Sequence, residues 1–374
     1  MMTVQQTITI PLTTIEKVGE KRVIKEENET LIEDSDVHLY YKYVLSETLE
    51  EKLARISLAD NIYSSTEADD AQQQQQKENP IIITTATHSF RNFLYNWMCS
   101  LKNMERAKDA SSSILDRTLI YTTDSNLAWE LVSKRRFFNV FLDYRSSGDS
   151  DTSNSQSALS FGTLSYQRLI MYRTIFINQV LQSYNSSVLL ADNDAVWLKD
   201  PFPVFNTDQF AKYDMLTQND GLPGNPNLTC GGFLYMRNTP GMKQVWSTIT
   251  REFSQLTSNS VRAQSYMNEQ EMLPKFDGKQ YRIGYLPRSL FPSGYLYFVS
   301  SKEPRLDYPD VHVVHNNFVI GAQKKLERFQ KYPQYLWQVD NDLQCTNRVM
   351  PDLSKITQPP PPSSPDKFRA KLRS

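Results

Sequence analysis

From Pro80 onward one pattern repeats: a short, continuous apolar run closed by turn residues, then a stretch with helical periodicity. The runs are Ile81-Ile82-Ile83-Thr84-Thr85, Leu119-Ile120-Tyr121-Thr122, Val140-Phe141-Leu142 and Val188-Leu189-Leu190-Ala191. Continuous rather than alternating hydrophobicity suits strands covered on both faces, the environment of a parallel sheet. Between them, Phe90 to Met104 places Phe93, Trp97 and Leu101 on one helical face, and Asn126 to Val132 is predicted as a second helix. Leu164 to Gln182 is the clearest helix, with Leu169, Ile170, Ile177, Val180 and Leu181 in one stripe. Gly232 to Met236 then predicts a strand, Met242 to Leu256 a helix and Asp310 to His315 a last strand that ends the core. The alternation predicts an α/β fold: a mostly parallel central sheet flanked by helices, with ligands at the carboxyl ends of its strands. Hydrophobic residues at 39% and aromatics at 11% supply ample core material.

The flanks read differently. Residues 1–78 are predicted to be an acidic, partly flexible extension, with one short helix from Thr48 to Leu58 and a linker around Gln72 to Gln76. Residues 79–345 are expected to form one domain, interrupted by an aperiodic loop over 146–160. Residues 346–374 carry Pro359 to Pro362 and then Lys367, Arg369, Lys371 and Arg373, the composition of an extended basic tail.

Several functional classes are excluded. Net charge is −1, without the basic footprint of a nucleic-acid binder. No Gly-x-Gly-x-x-Gly occurs among the 12 glycines, and Gly278-Lys279 is followed by Gln280, so dinucleotide and Walker-type loops are absent. The histidines form no His-Glu-x-x-His, and Cys99, Cys230 and Cys345 stand too far apart for a zinc knuckle; at most one disulfide is available. No apolar run reaches the ~18–20 residues of a membrane helix, and Met1 to Thr14 lacks the pattern of a signal peptide. Asn28, Asn185 and Asn227 head glycosylation sequons.

The chemistry converges on Asp192-Asn193-Asp194, directly after the strand Val188 to Ala191. Two carboxylates two residues apart in extended chain point to one side, here toward the ligand crevice. Close carboxylates repel unless protons or a cation neutralise them, and a divalent metal holding a diphosphate does so. A bare Asp-x-Asp is more often a solvated turn with helix-capping aspartates. In extended chain Trp197 faces away from the carboxylates and is expected to pack in the core.

The residues around the acidic pair are more specific. Leu189-Leu190-Ala191-Asp192-Asn193-Asp194-Ala195-Val196-Trp197-Leu198-Lys199-Asp200-Pro201-Phe202 resembles the central motif of the nucleotide-diphospho-sugar transferases grouped as glycosyltransferase family 77. Asn96-Trp97-Met98-Cys99-Ser100-Leu101 resembles the family's first-helix signature, and Gly231-Gly232-Phe233 with Tyr235 and Arg237 the segment after the metal motif. Thr229-Cys230-Gly231 departs from the usual Asn-Thr/Ser-Gly there, and Glu269-Gln270 stands where the family has Asp-Gln. His315-Asn316-Asn317, then Gly321 and Lys325, resembles the closing element. The likeness covers residues 80 to about 337.

The resemblance implies a GT-A fold and a glycosyltransferase using Mn²⁺ or Mg²⁺ and a UDP-sugar donor, with galactose, xylose or arabinose passed to a glycan or glycoprotein hydroxyl with retention. Asp192, Asp194 and His315 are the implied metal ligands; oxygen and imidazole donors suit those hard ions. Thr84, Thr85, Ala86, Arg173, Asp192, Asn193, Gly321 and Lys325 are the implied nucleotide-sugar contacts. Asp192, Asp194, Gln270 and Asp220 are the implied catalytic and sugar-contacting residues. Plainer roles stand beside these: a strand-to-helix turn for Thr84 to Ala86, cover of apolar surface for Arg173, a turn with Gly221 for Asp220, and a solvated helix start for Lys325. Two rivals are a binding module without turnover and a haloacid dehalogenase-type phosphohydrolase, which also places Asp-x-Asp after an apolar strand. The resemblance implies the Golgi lumen, whereas the lack of a signal or membrane segment points to the cytoplasm.

Overall fold

The computed structural model describes residues 13–18, 21–26, 42, 44–64, 80–106, 114–135, 137–143, 164–222, 225–256, 268–299, 310–331, 338–339 and 345–346. The chain divides into two compact units, residues 1–47 and 48–374. In the first, β1 (Thr13–Val18) and β2 (Lys21–Glu26) form an antiparallel hairpin, with Val18 opposite Lys21. The predicted linker at Gln72 to Gln76, the loop at 146–160 and the tail beyond Thr346 lie outside the described residues.

The second unit opens with α1 (Leu49–Ser64). Thr48 starts it with a reciprocal cap: its hydroxyl accepts from Glu51 N at 3.2 Å while Glu51 Oε2 accepts from Thr48 N at 2.7 Å. This helix falls in the segment predicted as an extension, yet its Leu53 and Ile56 belong to the main core beside Ile81, Ile83 and Val188.

The predicted alternation comes next in the chain: β3 (Ile81–Thr85), α2 (Arg91–Arg106), β4 (Thr118–Thr122), α3 (Ser125–Ser133), β5 (Val140–Leu142), α4 (Leu164–Ser183) and β6 (Val188–Ala191). Further strands and two longer helices complete the site-bearing half. They are β7 (Ala195–Trp197), β8 (Met215–Asn219), β9 (Thr229–Met236), α5 (Pro240–Leu256), β10 (Ile283–Tyr285), β11 (Val313–His315) and α6 (Ala322–Lys331). A final antiparallel pair joins β12 (Gln338–Val339) to β13 (Cys345–Thr346).

Seven strands form the central sheet in the order β10-β8-β9-β6-β3-β4-β5. All run parallel except β9, which is antiparallel to both β6 and β8. The sheet is thus α/β and mostly parallel, as predicted. One expectation changes: the strand after Asp310 shortens to Val313–His315 and leaves the central sheet to pair with β7. Its short apolar run is satisfied equally by a two-stranded ribbon, which the sequence pattern does not distinguish.

Packing explains the element choice. Phe176, Ile177, Val180 and Leu181 of α4 and Met242, Val245, Trp246, Ile249 and Phe253 of α5 are buried in one cluster with the strands. Each such side chain contributes about 1.5–3 kcal/mol by leaving water. Trp197 is buried against Trp97 (6.3 Å, edge-on), Phe202 and Phe233, the core role the sequence predicts. A disulfide links Cys99 of α2 to Cys345, so the single bridge the composition allows ties the chain's last described strand to the core. Among the described residues, no helix is long and apolar enough to cross a membrane.

Candidate active site

The site is built where β6 ends. Asp192 N still donates to Gly232 O of β9 at 2.7 Å, but then the chain turns: Ala195 N donates back to Asp192 O at 3.0 Å. The two carboxylates therefore converge through a tight turn, and not by the strand alternation expected from the sequence. Turning at once into β7 has a second effect. β7 pairs with β11 in a register that sets Ala195 opposite His315, and Asn316 N donates to Asp194 O at 3.0 Å. A residue more than a hundred positions away is thereby delivered to the acidic pair.

The resulting trio is compact. His315 Nε2 lies 3.4 Å from Asp194 Oδ1 and 3.8 Å from Asp192 Oδ2, and one ligand atom from each residue fits within a 4.8 Å span. Gly232 makes this approach possible, because a Cβ there would sit 2.4 Å from Asp192 Oδ2 and 2.6 Å from His315 Cε1. On the outer side of Asp194, Lys325 Nζ donates to Oδ2. Burial alone would raise the Asp194 pKa, but Lys325 and His315 outweigh it and hold the carboxyl well below its usual range. Burial likewise opposes charge on His315, while Asp194 and Asp192 overcome it and raise the imidazole pKa.

Arg173 of α4 forms the opposite wall. Its side chain is buried and bridges two acids, Asp192 Oδ1 at 3.3 Å and Glu269 Oε1 in direct contact. Glu269 is itself buried, on a single helical turn (Glu269–Met272) that Asn268 caps by accepting from Glu271 N at 3.1 Å. Arg173 thus does more than cover apolar surface. Tyr166, two turns earlier on α4, is close enough to feel Arg173, Asp192, Glu269 and Asp194, and its burial pushes its phenol pKa up.

The remaining predicted residues fall around this centre in different states. Gln270 Oε1 accepts from Gly231 N at 3.1 Å, anchoring its side chain over β9. Asp220 is buried, accepts from Asn317 Nδ2 at 2.9 Å, and has its pKa raised by burial. Asn193 donates from Nδ2 to Thr85 O at 3.0 Å, so its amide ties the acidic turn to the end of β3. The hydroxyls of Thr84 and Thr85 are buried without a hydrogen-bond partner among the described residues, and Ala86 is buried beside them. Gly321 has φ +95°, a conformation that favours glycine, in a loop that also holds Phe318 at φ +57°. That loop leads into α6 and Lys325, which is therefore bound to Asp194 and not a free helix start.

Tyr166 and Gln218 at the site carry no motif in the sequence, while Cys230 and Asn317 lie in segments that the family resemblance covers but that do not show them meeting His315 and Asp220. Glu269 is legible only beside Gln270, through the family's acidic position. A general signal for Gln218 does exist, since polar residues in a wholly buried strand need tertiary partners.

The donor set suits a hard divalent cation. Among the described residues, the carboxyl groups of Asp192, Asp194 and Glu269 face two side-chain cations, Arg173 and Lys325, so the cluster is short of positive charge until His315 takes a proton or a metal is bound. Two carboxylate oxygens and one imidazole nitrogen leave coordination positions for other oxygen ligands.

Comparison with known proteins identifies the family. Residues 113–329 match the family described as nucleotide-diphospho-sugar transferase. The chain is 26% identical over 279 residues to UDP-D-xylose:L-fucose alpha-1,3-D-xylosyltransferase 3 of Arabidopsis thaliana, covering 70% of this chain and 67% of that protein. It is 28% identical over 210 residues to the UDP-galactose:fucoside alpha-3-galactosyltransferase of Dictyostelium discoideum, covering 50% of this chain and 31% of that one. Mouse xyloside xylosyltransferase 1 superposes at TM-score 0.37 and 11% identity, over 64% of this chain and 98% of that chain. The phosphohydrolase alternative is set aside by the family match. The chain belongs to the nucleotide-diphospho-sugar transferase family and is a glycosyltransferase.

Proposed function

We propose that the protein moves galactose, xylose or arabinose from a UDP-sugar to a hydroxyl of a glycan or glycoprotein acceptor, with retention and with dependence on Mn²⁺ or Mg²⁺. The observation that carries this reading is the Asp192–Asp194–His315 trio, gathered on one point from β6 and β11 in a cluster short of positive charge. Asp192, Asp194 and His315 would hold the cation, which when bound neutralises the diphosphate and stabilises it as a leaving group.

The other side chains divide the remaining work. Arg173, bridged to Asp192 and Glu269 through its two terminal nitrogens, fixes the acidic turn. Lys325 holds one carboxylate and keeps 18% of its side chain exposed, so it is the cation able to turn toward a phosphate oxygen. The residues at the end of β3, Thr84 and Thr85, whose hydroxyls are buried without a partner among the described residues, are assigned to the nucleoside by the family resemblance. Gln270, bonded to Gly231 N, and Asp220, bonded to Asn317, are assigned to the donor sugar and the acceptor by the family resemblance. Retention rests on the family resemblance: the acceptor oxygen attacks the anomeric carbon on the face the diphosphate leaves, and a leaving-group oxygen takes the acceptor proton. The Cys99–Cys345 disulfide supports an oxidising compartment, in line with the Golgi lumen.

A panel of UDP-sugars tests the reading. UDP release is measured with Mn²⁺ and with chelator, for wild type and Asp194→Ala, with fucosides and xylosides as trial acceptors. Metal-dependent release from one UDP-sugar, lost in the variant, is expected. Folded wild-type protein that neither binds UDP nor turns over any UDP-sugar contradicts it.

A further inference from the structure

His315 has two ring nitrogens, and only one faces the acidic pair. Nε2 points at Asp194 and Asp192, while Nδ1 lies 2.8 Å from Gln218 Oε1 and 3.3 Å from Cys230 Sγ. Gln218 is wholly buried in β8, and its other amide atom is spoken for: Nε2 donates to Pro292 O at 2.8 Å and to Phe291 O at 3.1 Å. Both are backbone carbonyls, which only accept. Turning the amide over would set an oxygen against two oxygens and leave both carbonyls without this donor, so the loop at 291–292 fixes which end of Gln218 meets the imidazole. An amide oxygen also only accepts, so Nδ1 must be the nitrogen that carries the proton. In the neutral ring the lone pair is then left on Nε2, on the side of the carboxylates, where a cation can take the place of a proton.

From this geometry we infer that Gln218 is a positioning residue that keeps the His315 proton on Nδ1 and so presents Nε2 as a metal ligand. The inference rests on the proposed metal centre and names a part of it that neither Asp-x-Asp nor the closing histidine element contains. Among the described residues Cys230 is the other neighbour of Nδ1, and a thiol is a weak acceptor in place of an amide oxygen. Outer partners of ligating histidines are worth about 10–100-fold in metal affinity.

Two substitutions separate this role from simple anchoring of the 291–292 loop. Gln218→Leu removes both the acceptor for Nδ1 and the donor for the carbonyls. Gln218→Glu keeps the acceptor and loses only the donor. Mn²⁺ affinity, read by electron paramagnetic resonance of the free ion, is expected to fall about 10–100-fold in Gln218→Leu and to stay within a few fold of wild type in Gln218→Glu. Equal loss in both would assign Gln218 to loop anchoring, and no loss in Gln218→Leu would remove it from the site; either overturns the inference. Wild-type protein that binds no Mn²⁺ would instead overturn the metal centre itself. A measurement on wild type alone guards against a misfolded variant: ¹⁵N-histidine spectra with and without a diamagnetic divalent ion. A proton retained on His315 Nδ1 in both states is expected, and its loss from Nδ1 on metal addition would refute the inference.

Discussion

The two basic residues that flank the acidic turn differ in how they are held. On the α4 side, Arg173 is buried and bridges Asp192 to Glu269. On the α6 side, Lys325 is partly exposed, meets Asp194 alone, and comes after a loop with left-handed backbone at Phe318 and Gly321. A planar guanidinium fixed by two carboxylates is scaffolding, whereas a single ammonium on a flexible side chain in the first turns of α6 is able to change partners. One wall of the site is therefore preorganised and the other adjustable, with the Asp192–Asp194–His315 trio between them.

The largest expected effect breaks the rigid wall. Arg173→Ala leaves Glu269 buried without its partner, and urea denaturation should show a loss of about 3–5 kcal/mol. Lys325→Ala takes one partner from buried Asp194 but leaves His315 beside it, so its stability loss in urea should be clearly smaller than that of Arg173→Ala, while turnover should fall about a hundredfold, the scale of losing one group that stabilises leaving-group charge. Equal stability losses in the two variants would erase the distinction between the walls. Gly232→Ala sharpens the comparison at the centre: its Cβ would collide with Asp192 and His315, so Mn²⁺ affinity should drop by about tenfold or more while Arg173 and Lys325 keep their places.

The smallest effect is in pH dependence without metal. Asp194 has a lowered pKa, so its contribution is present above the unfolded value of about 4 and is lost as pH falls through the lower folded value. His315 has a raised pKa, so its contribution is present below about 6.5 and is lost as pH rises through the folded value. Asp220, also raised, adds stability at low pH that declines upward from about 4. The metal-free protein should therefore be most stable in weak acid, and a denaturation midpoint that climbs steadily from weak acid to weak base would contradict these assignments.

Much of the scaffold is legible because its strands are fully buried and apolar. β3, β4, β5 and β6 are continuous hydrophobic runs, and the helices between them keep a 3.6-residue stripe, so local pattern and tertiary role agree. β8 fails for the opposite reason. Met215-Leu216-Thr217-Gln218-Asn219 is completely buried, but its polar residues are satisfied by partners far along the chain, such as Pro292 and Cys230, which no window of sequence contains. β7 and β10 have three residues each, too few for any period to show. At the site, Asp192, Asp194, His315 and Lys325 are found through the order of motifs the family resemblance supplies. How the carboxylates meet is not legible, because a turn bonded by Ala195 N replaces the extended segment that local pattern suggests. Gln218 and Tyr166 have no motif at all; they matter only through what the fold places beside them.

The central claim is that residues from β6 and β11 form a single divalent-metal site. Mn²⁺ titration of wild type and His315→Ala in the presence of UDP, monitored by electron paramagnetic resonance, tests it most directly. One Mn²⁺ per chain in wild type, with affinity weakened about a hundredfold or more in His315→Ala, is the predicted result. Binding of Mn²⁺ to His315→Ala with unchanged affinity would show that the acidic turn works without β11, and would contradict the account.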